Sequence, residues 1–102
     1  MKIIKNISEQ IEEETEGALW YAEEAVRVAD EHPSLAKTLH TIAEEELRHV
    51  DMLHGEVVKL IEAHRREHGE PPAAMKAVYD YLHKKQIENV AEVRNYLTQF
   101  RG

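Results

Sequence analysis

Apolar residues recur along this chain at steps of three and four, the spacing of one face of an α-helix. In the first part of the chain, the series that follows this spacing is Ile4, Ile7, Ile11, Glu14, Ala18, Tyr21, Ala25 and Val28. In the middle, it is Leu39, Ile42, Glu46, His49, Leu53, Leu60 and His64. No stretch alternates with period two, so the pattern predicts an all-α fold.

Glycine and proline collect at two places and divide the chain into three helical segments. The first break is DEHPS (30–34) and the second is HGEPP (68–72). Because the first break is short, the two helices that flank it should form an antiparallel hairpin. We predict a helical hairpin over 1–69 and a C-terminal helical arm over 70–102, packed in the same domain or on a neighbouring copy. A bend in the arm is conceivable near 84–86.

The ends of the predicted helices follow from local signals. The first helix is expected over about 8–30, with Asn6 or Ser8 as its N-terminal cap. The second should begin at Pro33 or the residue after it, since proline is tolerated in a first turn. It should stop at Gly69, a residue type common just after a helix.

Three ionisable residues interrupt the predicted apolar stripes. Glu46 and His49 are separated by about 300° of helical turn and therefore project from nearly the same face. Glu14 interrupts the first stripe in the same way. It lies roughly 24 Å along the axis before Asp30, and Glu46 lies roughly 18 Å after Ser34, so their levels agree within about one turn. Polar groups on a core stripe are costly unless something satisfies them, and a bound metal ion would do so.

The first helix carries several glutamates, and helical geometry favours one of them. At about 100° per residue, Glu14 lies roughly 40° from the direction in which the apolar residues point. Glu13 lies about 140° away and Glu16 about 160° away, so both should face water. Glu14 is therefore the predicted ligand, although Glu13 and Glu16 remain formal alternatives.

Composition narrows the classes of function. A chain of 102 residues is at most one domain with a modest core, which favours self-association. The 20 acidic against 13 basic residues give a net charge of −7, which suits cations and argues against nucleic-acid binding. No cysteine is present, so thiolate metal sites are excluded. No apolar run is long enough to span a membrane, and the N-terminal stretch lacks a secretory signal, so we expect a cytoplasmic protein.

The donor set indicates which metal would bind. Carboxylates with one imidazole suit iron, manganese or zinc. One chain supplies two carboxylates and one histidine, half of what a dinuclear site needs. A two-fold homodimer would supply four carboxylates and two histidines, the set used by di-iron proteins built on four-helix bundles.

Two stretches, IEEETEGALWYAEEA (11–25) and LAKTLHTIAEEELRHVDMLH (35–54), resemble the ferritin-like di-iron superfamily. The likeness covers about 8–60, and the sequence is most similar to rubrerythrins and encapsulated ferritins. Encapsulated ferritins are half-ferritins that assemble a ferroxidase centre between two subunits. It implies a ferritin-like four-helix bundle made by two chains and a role in iron storage. It further implies oxidation of Fe(II) to Fe(III) by dioxygen or peroxide. The metal ligands that the resemblance implies are Glu14, Glu46 and His49, and Tyr21 matches a tyrosine close to the metals.

The resemblance has limits. The segment 70–102 shows no likeness to the family and lacks the short apolar docking peptide of encapsulated ferritins. The resemblance therefore does not predict loading into an encapsulin shell. Without cysteine there is also no rubredoxin-type centre to donate electrons, as rubrerythrins require.

Other interpretations of the same residues remain. Glu14, Glu46 and His49 could form a buried polar network, or hold a structural zinc, in a non-enzymatic assembly subunit. The arm could be an interaction module. His64 and His68, four residues apart, could bind a metal but are more simply solvated residues near a helix end. The remaining helical histidines, which are His40, His54 and His83, are expected at the surface or just behind the ligands.

Overall fold

The computed structural model describes residues 2–100, which form three helices: α1 (Lys2–Val28), α2 (Pro33–His68) and α3 (Ala73–Gln99). The all-α prediction is confirmed, and no strand occurs in this part of the chain. The molecule is a rod with extents of 55 × 19 × 17 Å. Residues 1, 101 and 102, which the predicted hairpin and arm include, lie outside the described range.

α1 begins earlier than predicted. It is helical from Lys2, so Asn6 and Ser8 lie inside the helix and the prediction that one of them caps it is wrong. The reason is tertiary packing. The apolar spacing continues back to Ile4, which is only 3% exposed, as is Ile11 two turns later. Burial of that first turn outweighs the local preference of Asn6 and Ser8 for a cap.

The predicted ends of α2 are confirmed. Pro33 stands in the first turn, where it sacrifices no hydrogen bond. Gly69 follows the last residue with a φ of 78°, a conformation that suits glycine, and its N–H donates to the carbonyl oxygen of Arg65 at 2.8 Å.

α3 is one continuous helix, so the bend considered near 84–86 is wrong. Those residues are two lysines and a glutamine, all good helix formers, and nothing there interrupts the backbone. The helix runs parallel to α1: Lys85 lies near Glu12, and Val93 packs further along against Ala18 and Ala22. α3 packs mainly on α1 and only lightly on α2.

The buried side of α2 differs from the predicted stripe. The residues buried on α2 are Ala36, Leu39, Ala43, Leu47 and Val50, and only Leu39 belongs to the stripe predicted from spacing. Ile42, Glu46 and Leu53 are half-buried and His49 is exposed. α1 packs against this side of α2, and Ala43 and Leu47 meet Ala18 and Ala22 of α1 and Val93 of α3 in the main core cluster.

The hairpin therefore has two unlike faces. The contacts of α3 fall on one side, since Glu12, which pairs with Lys85, lies about 160° around α1 from Glu14. The other side, which we call the open face, carries Ile7, Glu14, Gly17, Ile42, Glu46, His49 and Leu53. Its apolar members are half-buried by the hairpin alone.

Across residues 2–100, no helix has the length and apolar character needed to cross a bilayer.

Candidate metal centre on the open face

Glu14 of α1 and Glu46 and His49 of α2 converge near the middle of the open face. Each offers one ligand atom, and these atoms all lie within 4.8 Å of one another. The Nδ1 atom of His49 is 3.5 Å from Oε2 of Glu14. The predicted juxtaposition across the hairpin is thus confirmed, and it is the one such group of three metal-ligating residues within 2–100.

Matched depth across the hairpin brings the residues together. Glu46 reaches across to α1, where a Cβ atom placed on Gly17 would lie 3.9 Å from its Oε2 atom, an ordinary van der Waals contact. Gly17, about one turn after Glu14, therefore borders the centre and is not required for its geometry. Sequence reasoning missed Gly17, although a glycine in mid-helix, three residues after a candidate ligand, is a visible signal.

The carboxyl groups of Glu14 and Glu46 lie close enough for one proton to be shared between them. The pKa of Glu46 is raised to about 7, first because its protonated form hydrogen-bonds to Glu14, then because of partial burial and the charge of Glu14. The same hydrogen bond lowers the pKa of Glu14, and His49 and Gln10 lower it further against the opposing effect of burial. A cation between the carboxylates would take the place of that proton.

The centre lies at the edge of the core and is open to solvent. The side chain of Glu14 is 20% exposed and that of His49 is 52% exposed. The prediction that His49 sits on a buried stripe is therefore wrong for the single chain. The open side leaves room for further ligands, either water or groups from another molecule.

Glu14 is the one of the three neighbouring glutamates that faces the centre, as helical geometry predicted. Glu13 and Glu16 are exposed and take no part in the group. On α2, Glu44 is also exposed, and its carboxylate lies 3.2 Å from Nδ1 of His40.

Tyr21 lies close to this region but makes apolar contacts. Its half-buried ring packs against the core cluster that contains Ala18 and Ala43. It also meets the ring of Trp20 edge to face, with centroids 5.2 Å apart. A role for Tyr21 beside a metal stays a prediction.

The remaining histidines occupy varied positions. His40 is half-buried, stacks on Phe100 at 4.4 Å and lies 3.4 Å from the Leu97 carbonyl oxygen. His54 is half-buried and His83 is exposed, and their rings face each other between α2 and α3. None of the three lies behind the predicted ligands, because α3 holds them on the other side of the hairpin.

No protein family, curated protein or solved structure matches the chain.

Proposed function

We propose that two copies of this chain pair through their open faces into a ferritin-like four-helix bundle and oxidise Fe(II) to Fe(III) at a centre shared between them. The observation that carries the proposal is the convergence of Glu14, Glu46 and His49 on the face that α3 leaves uncovered. Two oxygen donors and one nitrogen donor suit Fe(II), and also Mn(II) or Zn(II).

The open face has the character of a surface that a second copy would cover. Around the three ligands it carries half-buried aliphatic side chains. At its margin Trp20 is 57% exposed, Leu35 is 49% exposed and Ile3 is 48% exposed. A two-fold interface places the same patch on both partners, so each ligand set would face its own copy. The dimer would hold four carboxylates and two imidazoles, enough for two metal ions.

Each residue has a role in this proposal. Glu46, which shares α2 with His49 and faces Glu14 across the hairpin, would hold both ions, and Glu14 and His49 would each hold one. Binding would displace the proton shared by the carboxylates. Two Fe(II) ions, as substrate, would supply one electron each, and with two protons from solvent these electrons would reduce dioxygen to hydrogen peroxide, or hydrogen peroxide to two water molecules. The net acidic surface would draw cations to the site.

The first test compares Glu46→Gln with Glu45→Gln. Both substitutions remove one carboxylate from adjacent positions, but only Glu46 belongs to the centre and Glu45 is exposed. Protein loaded with Fe(II) without oxygen is exposed to air, and ferric absorbance is followed. We expect fast oxidation in the wild type and in Glu45→Gln, and a loss of roughly 100-fold or more in Glu46→Gln, since a metal ligand is removed. A wild-type rate equal to that of buffer would refute the proposal.

A structural role is the second candidate, and the shared proton favours it. With a pKa near 7 for Glu46, the carboxylate pair is satisfied without any metal. In that case Glu46→Gln, whose amide can still donate to Glu14, should preserve stability and assembly, while Glu46→Ala should not. Metal analysis of the purified protein would then find the centre empty.

A further inference from the structure

A second meeting of metal-binding side chains lies on the other side of α2, between α2 and α3. The ring centroids of His54 and His83 are 5.1 Å apart, with the planes inclined by 50°. His54 lies about 140° around α2 from His49, so this pair is separate from the centre on the open face. It joins the two helices that otherwise pack most lightly against each other.

The separation of the rings suits a shared metal ion. Zinc binds imidazole nitrogen at about 2.0–2.1 Å in tetrahedral geometry, which places the centroids of two ligating rings about 5 Å apart. Imidazole is the preferred ligand of Zn²⁺, Cu²⁺ and Ni²⁺. The pair therefore has the chemistry and the spacing of two ligands to one such ion.

Each histidine follows an aspartate by three residues. The pairs are Asp51 with His54 on α2 and Asp80 with His83 on α3, the same acid-x-x-His spacing as Glu46 with His49. Residues three apart project from the same side of a helix, so each carboxylate leaves its helix beside its histidine.

The aspartates border the same spaces as the imidazoles. Asp51, His54 and His83 line a cavity of about 230 Å³ between α2 and α3, where Arg94 is also present. Asp80 lines a larger groove of about 730 Å³ that both histidines also border. There is room for a cation with its remaining water ligands, and one aspartate from each helix borders the space and adds negative charge.

We propose that His54 and His83, with water molecules completing the coordination, bind a Zn²⁺-type divalent cation that fastens the first half of α3 to α2. That half of α3 is otherwise weakly held, since all of its residues from Ala73 to Leu82 are exposed except the half-buried Tyr79. A bond through metal between the helices would restrain it. The site neither uses nor requires the ligands of the open face.

His64 and His68 provide a matched control. Their ring centroids are 4.8 Å apart, but both belong to α2. A metal held by this pair would not restrain α3. The two sites can therefore be distinguished by whether metal slows amide hydrogen exchange in α3.

The test measures amide hydrogen exchange by mass spectrometry on metal-free protein, with and without Zn²⁺. We expect Zn²⁺ to slow exchange in residues 73–82 of the wild type. His54→Gln and His83→Gln should each abolish that slowing and weaken Zn²⁺ binding in calorimetry by roughly tenfold or more, while His64→Gln should leave the slowing intact. Exchange in α1 without metal verifies that each variant is folded, and His83 is exposed enough to tolerate the change.

Two results would overturn this proposal. One is that Zn²⁺ has no effect on amide hydrogen exchange in residues 73–82 of the wild type. The other is slowing that survives both His54→Gln and His83→Gln. The inference is independent of the iron chemistry, because Glu46→Gln should lose iron oxidation and still show the Zn²⁺ effect on α3.

Discussion

At the scale of single residues, Glu46 is the described ionisable group with the largest pKa shift. A hydrogen bond to Glu14 on the neighbouring helix favours the protonated form of Glu46. The neutral form is therefore favoured in the folded chain, which ties both stability and metal binding to pH.

The stability of the metal-free protein should fall as pH rises from about 4.5 to above 7. The raised pKa of Glu46 stabilises the fold below its ordinary value of 4.5 and loses that effect as pH passes about 7. The lowered pKa of Glu14 acts in the opposite sense and matters only at lower pH. Thermal unfolding of wild type and Glu46→Gln between pH 5 and 8 would measure this, with the variant showing the flatter profile.

Metal affinity should change with pH in the other direction. A cation competes with the proton on Glu46, so affinity should rise as pH increases through about 7. A wild type and a Glu46→Gln variant with the same pH profile, both for unfolding and for metal binding, would show that the two carboxylates do not share a proton.

At the scale of elements, the two halves of α3 differ in how firmly they are held. The second half places Val93, fully buried, in the cluster with Ala18, Ala22, Ala43 and Leu47. The first half leaves Met75 40% exposed and Val78 55% exposed. Packing therefore anchors α3 at one end only.

Val93→Ala should destabilise the protein by about 2 kcal/mol, since it removes buried methyl groups and leaves a cavity. Val78→Ala on the same helix makes the same chemical change at an exposed position and should cost less than about 0.5 kcal/mol. Urea denaturation of both variants measures the difference. Equal effects would mean that the second half of α3 is not docked on the hairpin.

The helices themselves could be predicted from local pattern, but their arrangement could not. Apolar spacing and the Pro33 and Gly69 signals located the ends of α2 to within about one residue, because those signals act within a few positions. The buried side of α2 depends on how both α1 and α3 dock against it, and these contacts between distant parts of the chain are not contained in any local period. Ala43 and Leu47 were missed as core residues for that reason.

The candidate site was more predictable than the core around it. The proximity of Glu14, Glu46 and His49 could be predicted from helix angles and the loop position alone. In a hairpin with a short loop, residues at similar distances from the loop lie at the same level along the two helices. The exposure of His49 could not be predicted, because it depends on which face α3 covers. The pairing of His54 with His83 depends on the same docking.

At the scale of the whole molecule, the proposed dimer explains why one face of the hairpin stays uncovered. Leu53→Lys would place a charge on that face beside His49, whereas Tyr81→Lys alters a residue of α3 that is 65% exposed, on the other side of the hairpin. We expect a dimer for the wild type and Tyr81→Lys, and a monomer with little iron oxidation for Leu53→Lys. Light scattering with size-exclusion chromatography measures the mass.

That experiment tests the dimer and the iron oxidation at the same time. A wild-type monomer that oxidises iron at the full rate would show that a single hairpin suffices. A dimer that persists in Leu53→Lys would place the interface elsewhere on the rod.

Within residues 2–100, alanine occupies five of the eleven buried apolar positions, namely Ala18, Ala22, Ala25, Ala36 and Ala43. Such a core has little side-chain volume to lose, because its helices are held by the near approach of their backbones. Larger substitutions at these positions should therefore be more harmful than smaller ones. Most single-nucleotide changes at these codons would introduce a bulkier side chain, which would force two helices apart. Across variants of this chain, harmful substitutions along the seam should be enlargements far more often than truncations.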